Sequence, residues 1–231
     1  MCVGRVDFIL WLASKKSVMM YDGKTIWFIV RGIAGSPSNF LEWEYQARDI
    51  IIQTINIPAV AASYATSFLT VWRNRGMRAQ RFAKVLRGYT ARDWRVNIIA
   101  HSEGTVVATD ALRFLGWPRV EQLHLVCGAC DSDFGRLGIN DALRMDRIAM
   151  VHCWMAGRDT AMQFENLTLG RMLFQIHRPL GLKGPSNVIR QFKNWIHNHY
   201  ETPWDDYGHS DCWDSKNINK TVAGFLASRH E

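Results

Sequence analysis

No stretch of about 18 apolar residues occurs in this 231-residue chain, so a membrane-spanning helix is not expected. Internal repeats, low-complexity runs and Pro-, Gly- or Ser-rich linkers are also missing, which argues for one domain over residues 1–231. A chain of that length buries a sizeable core without covalent staples. Cysteine is scarce: Cys2, Cys127, Cys130, Cys153 and Cys212 are an odd number at irregular intervals. They suggest no disulfide framework, and a reducing compartment, the cytoplasm, fits best. Cys127 and Cys130 form a C-x-x-C. No second such pair completes a zinc site, and this one ends a strand rather than opening a helix. Near the start, Val6 to Ser14 has a short apolar centre but includes Asp7 and lacks a small-x-small cleavage site, so it reads as mature structure.

Lysine and arginine number 28 against 21 acidic residues, a net charge of +7. Arg73, Arg75, Arg78, Arg81, Lys84 and Arg87 supply much of it, within one expected helix and its approach. Such a surface attracts nucleic acid or anionic lipid. Because no nucleic-acid-binding motif accompanies it, a solvated helix face is the plainer reading, and no nucleic-acid partner is expected.

Apolar runs alternate with helical patterns. Thr25–Val30, Ala59–Ala62, Val96–Ala100, Gln122–Cys127 and Arg147–Trp154 read as buried strands, and Val188–Tyr200 as a last strand with its approach. Between them, Phe40 to about Ile55, Arg75–Tyr89, the segment after Ser102, Ile139–Met145 and Ile218–Arg229 read as helices. In the Arg-rich helix, Met77, Phe82, Val85 and Leu86 are expected to face inward. Residues 161–187 look irregular and suited to a lid. The fold class that follows is α/β, a mostly parallel central sheet flanked by helices on both faces.

One stretch organises the chemistry. Val96-Asn97-Ile98-Ile99 runs into Ala100-His101-Ser102-Glu103-Gly104, and a helical pattern then begins. Strand, sharp turn and helix, with small residues two before and two after a serine, is the context of a nucleophile elbow. The plainer alternative is a serine that caps a helix. A serine hydroxyl needs an imidazole to take its proton, and that imidazole needs a carboxylate to fix its tautomer. In a parallel sheet, residues that follow strands meet at one edge. Asp159 follows the strand ending at Trp154, and His209 lies in the loop after the last strand. Asp131 and Asp133 are rival acids. His197 and His199 alternate along a strand and share one face. With Asp205 or Asp206 they make a weak alternative metal set. His101 reads as a packing or loop residue, and His124, His152 and His177 as structural.

The chain resembles a compact α/β-hydrolase over roughly residues 24–228. The resemblance rests on Arg31-Gly32-Ile33-Ala34-Gly35-Ser36, Ala100-His101-Ser102-Glu103-Gly104, Gly157-Arg158-Asp159 and Tyr207-Gly208-His209-Ser210. It implies the order nucleophile Ser102, acid Asp159, base His209, with the amides of Ile33 and Glu103 as oxyanion hole. Two positions depart from the family pattern: Arg31 stands where a histidine is usual, and Ala100 where the first elbow glycine is usual. The implied activity is hydrolysis of a small-molecule or lipid ester, of esterase or lipase type, by chemistry that requires no cofactor or metal. An amidase, thioesterase or peptidase would use the same three residues, and a non-catalytic interaction protein would keep only the fold.

Overall fold

The computed structural model describes residues 24–31, 43–63, 74–166, 179–200 and 203–228. Six strands, β1 (Thr25–Arg31), β2 (Ala59–Ser63), β3 (Arg95–His101), β4 (Val120–Val126), β5 (Ile148–Trp154) and β6 (Ile196–His199), form one sheet. Their order is β2-β1-β3-β4-β5-β6 and every pairing is parallel. The helices are α1 (Trp43–Ile55), α2 (Arg75–Thr90), α3 (Glu103–Phe114), α4 (Phe134–Leu137), α5 (Ile139–Arg144), α6 (Thr160–Asn166), α7 (Leu180–Lys183) and α8 (Ile218–Ala227). The fold is α/β.

The sheet divides the interior in two. Period-two alternation sends Ile26, Phe28 and Val30 of β1 into a core shared with α2, α3, α4 and α5. Trp27 and Ile29 enter the opposite core, made with α1 and α8. Every residue of β1 is buried, as a strand covered on both faces requires. On α2 the buried stripe is Arg78, Ala79, Phe82, Ala83 and Leu86. Phe82 and Leu86 therefore face inward as the spacing predicts, but Met77 and Val85 are exposed. The buried face is instead the one on which Ala79 joins the first core and Arg78 reaches Glu103 at the start of α3.

The last strand is shorter than the apolar pattern suggests: a 3-10 stretch, Arg190–Trp195, leads into β6. The irregular reading of 161–187 is corrected at its start, where α6 continues to Asn166. At its end, Leu180 N donates to the Cys130 carbonyl at 2.9 Å and Gly181 N to that of Gly128 at 2.8 Å. Residues 179–187 are thereby stitched to the loop after β4; residues 167–178 of the expected lid lie outside the described residues. Among the described residues, no helix is long and apolar enough to cross a membrane.

Strand order decides where a ligand approaches. From β1 the chain steps to β2 on one side and then returns to β3 on the other. The C-terminal ends of β1 and β3 therefore flank a topological switch point, the usual ligand crevice of an open parallel sheet.

The other notable feature of the sheet is a histidine ladder on its second face. The register puts His124 beside His152, His152 beside His197, and Trp154 beside His199. His124 and His152 stack at 4.5 Å, and Trp154 and His199 at 3.6 Å. Trp154 Nε1 donates to His124 Nδ1 at 3.1 Å. The His124 proton is therefore on Nε2, which donates to Gln122 Oε1 at 3.2 Å. Burial holds His124 well below the ordinary imidazole range, His152 at about 3 and His199 at about 4, and neighbouring imidazoles add to each effect. In the unfolded chain the same groups protonate near pH 6.5. Stability from keeping them neutral is thus full above that pH and is lost as pH falls toward the folded values. Urea unfolding should lose about 2–4 kcal/mol between pH 7 and pH 5 from His124 and His152. Replacing both with non-titrating aromatic residues should flatten that slope.

Candidate functional site

Ser102 sits between β3 and α3 at φ 54° and ψ −130°, a backbone region that side chains rarely occupy. The surrounding hydrogen bonds hold it there. Ser102 N donates to the Val126 carbonyl at 3.0 Å, and its own carbonyl accepts from Thr105 N at 2.9 Å and Thr105 Oγ1 at 2.7 Å. The turn is tight enough that a Cβ on Gly104 would run into the Val30 carbonyl oxygen of β1. Glycine is obligatory two residues after the serine. Two residues before it, Ala100 packs fully buried in the first core.

Asp159 lies just past β5 and is fully buried. One carboxylate oxygen accepts from Met162 N at 2.8 Å, which orders the first turn of α6. The other meets His209 Nδ1 at 2.9 Å. His209 Nε2 stands 2.8 Å from Ser102 Oγ. If the carboxylate is ionised it only accepts, so Nδ1 carries the imidazole proton and Nε2 presents a lone pair to the serine hydroxyl. Three residues far apart in the chain thus form one hydrogen-bonded row at the C-terminal edge of the sheet. Ser102 is 8% exposed.

The loops bearing the acid and the base are tied to each other. Gly157 N donates to the Trp204 carbonyl at 2.9 Å, and Arg158 N to that of Tyr207 at 3.0 Å. A Cβ on Gly157 would collide with the Asp205 carbonyl oxygen, so this contact too depends on a glycine. The turn after His209 is set by Asp211, which accepts from Gly208 N at 2.8 Å, while its carbonyl accepts from Asn217 Nδ2 at 2.7 Å.

His101 has a clear role. Its Nε2 donates to the His209 carbonyl at 2.8 Å, and its ring lies edge-on to Trp43 and Trp213, which stack on each other at 3.8 Å. Burial first, then the neighbouring His209, hold it well below the ordinary imidazole range, so it stays neutral. It is a packing residue that fixes the backbone of the imidazole-bearing loop.

Glu103, whose amide opens α3, carries a fully buried carboxylate. Arg75 binds it through Nε at 2.8 Å and Nη2 at 3.0 Å, and Arg78 through Nη2 at 3.4 Å. The expectation that the basic helix is a solvated face is therefore corrected for Arg75 and Arg78, although Arg81, Lys84 and Arg87 are exposed. A buried carboxylate is costly unless paired, and the bidentate guanidinium offsets that cost. Arg31, at the end of β1, forms a second buried pair, 3.3 Å from Glu44.

The rival acids lie elsewhere. Asp133 caps α4 through Arg136 N and accepts from Asn187, and Asp131 pairs with Arg136. His197 and His199 share one face of β6, as their alternation predicts, and Asp206 pairs with Arg158 at 2.6 Å. Among the described residues they do not gather three ligand atoms at one point. Cys130 is buried and its thiol is pushed up to about 12 by desolvation, which argues against a reactive C-x-x-C. Ile33 and His177 lie outside the described residues. Sequence reasoning missed the hold of His101 on His209 and the Glu103 ion pair. A glutamate directly after the serine, at a position too crowded to be solvated, was the available signal for the second. No family model and no curated protein matches the chain.

Gly104→Ala should destabilise the fold by at least about 2 kcal/mol, because the new methyl meets backbone rather than a movable side chain. Thermal or urea unfolding measures this. Gly88→Ala, on an open stretch of α2, serves as the control and should be neutral or stabilising.

Proposed function

We propose that this protein is a serine hydrolase of the α/β-hydrolase kind that cleaves carboxylic esters through an acyl-enzyme. The observation that carries the reading is the unbroken row Ser102 Oγ to His209 Nε2 at 2.8 Å and His209 Nδ1 to Asp159 at 2.9 Å. The strained backbone of Ser102 beside a topological switch point supports it.

In this mechanism Ser102 Oγ attacks the acyl carbon as His209 Nε2 takes the hydroxyl proton. Negative charge on the former carbonyl oxygen is met by the Glu103 amide at the start of α3, where the helix dipole also favours an anion. The Ile33 amide is the second donor in this assignment. The tetrahedral intermediate collapses, the C–O bond to the leaving group breaks, and His209 returns the proton to the departing alkoxide oxygen. Water, deprotonated by the same nitrogen, then attacks the acyl carbon of the ester on Ser102; the C–O bond to Ser102 Oγ breaks, His209 returns the proton to Oγ, and the acid is released. Asp159 keeps His209 in the required tautomer and stabilises its cation. The substrate class is a small-molecule or lipid ester.

A fluorophosphonate probe should label wild type and fail on Ser102→Ala. Asp159→Asn should cut p-nitrophenyl ester turnover by about 10⁴-fold while the fold survives. A folded wild type that takes no probe and turns over no ester would sink the reading and leave a non-catalytic binding protein on this fold.

A further inference from the structure

Beside the Ser102–His209 contact lies a cluster of which the ester chemistry uses only His209. One ring nitrogen of His101, one of His209 and the Cys127 sulfur all lie within 4.8 Å of one another. They come from the end of β3, the loop before α8 and the residue after β4, so the tertiary fold alone assembles them. Cys127 is fully buried. Two imidazoles and a thiol are a donor set that suits zinc and other thiophilic cations, and not magnesium or calcium. Among the described residues, no other three histidine, cysteine or acidic groups bring ligand atoms this close together.

We propose that His101, Cys127 and His209 form a three-ligand inhibitory site for a thiophilic divalent cation such as Zn²⁺, with water as the fourth ligand. Tetrahedral zinc bonds of about 2.0–2.3 Å place donor atoms about 3.3–3.8 Å apart. Three donors already within 4.8 Å therefore close by at most about 1–1.5 Å to bind the cation, and water takes the open position. Little order remains to be imposed on His101, whose ring is held by the His209 carbonyl and by Trp43 and Trp213. The Cys127 thiol, on ligating, gives up its proton to solvent. Capture of His209 is incompatible with the row it completes. Through Nε2 the cation takes the base from Ser102, and through Nδ1 it takes the imidazole from Asp159. The inhibitory consequence rests on the hydrolase reading; the binding does not.

The test uses the intact chain and two cations. Co²⁺ is titrated in the absence of oxygen while thiolate-to-cobalt charge-transfer absorption is followed, and Zn²⁺ is then added to displace it. In parallel, fluorophosphonate labelling and ester turnover are measured against Zn²⁺, with and without a chelator. The expected result is a thiolate–cobalt band that saturates at one equivalent, and Zn²⁺ inhibition that the chelator reverses. In Cys127→Ala, each rate being referred to its own metal-free value, the Zn²⁺ concentration for half-inhibition should rise by about tenfold or more. Cys127→Ser serves as the second variant should Cys127→Ala fail to fold, and it should abolish the thiolate–cobalt band. Absence of a thiolate–cobalt band in wild type would overturn the proposal, as would Zn²⁺ inhibition that Cys127→Ala leaves unchanged. A band in a protein that takes no fluorophosphonate would retain the metal site and reject the hydrolase.

Discussion

The contact on which the arrangement depends is the approach of the first turn of α3 to the end of β1. Gly104 lies so close to the Val30 carbonyl that no side chain fits between them. Two residues earlier, between β3 and the start of α3, Ser102 turns at positive φ. Backbone strain of this kind costs on the order of 1–3 kcal/mol and persists only where the surroundings over-determine it. Here they do: β3 is paired on both sides, α3 packs into the first core, and the Ser102 amide is anchored on the end of β4.

The second constraint is the coupling of two loops that follow different strands. Asp159 would be an ordinary helix-capping aspartate, bonded to Met162 N, were its loop not stitched to the one that carries His209. Gly157 is the seam, since backbone meets backbone there without room for a Cβ. His101 completes the frame by holding the His209 carbonyl from the position next to Ser102. The imidazole is therefore positioned from three strand ends, which confines it to the single orientation in which both of its nitrogens are used. The same convergence brings the Cys127 sulfur within 4.8 Å of a ring nitrogen of each of two imidazoles.

The buried charged groups near the site, and the histidine of β4, have partners of matching character. Glu103 meets Arg75 and Arg78, Arg31 meets Glu44, and the buried imidazole of His124 stays neutral with both ring nitrogens bonded. These pairs sit at or next to the strand ends that build the site. The first turn of α3, whose amide the proposed chemistry uses, carries a carboxylate held by two bonds from Arg75.

Much of this was legible along the chain. Buried strands such as Thr25–Arg31 announce themselves because a strand covered on both faces must be apolar at nearly every position, a local property. Ser102 was recognisable from its small neighbours, and Asp159 and His209 from their places after strands, because a parallel sheet sends all such loops to one edge. What the chain alone left open depends on contacts between distant segments. Whether Asp159 or Asp131 faces the imidazole is decided by the stitching of loop 157–159 to residues 204–207. Which side of α2 is buried is decided by Arg78 reaching Glu103, a partner 25 residues away. The meeting of His101, Cys127 and His209 is decided by three strand ends converging. Sequence determined the elements and the chemical types at their ends, since periodicity and turn residues act over a few positions. Only tertiary structure decided which of those types meet, because such pairing is settled by packing across the sheet and by the few glycines that let backbones touch.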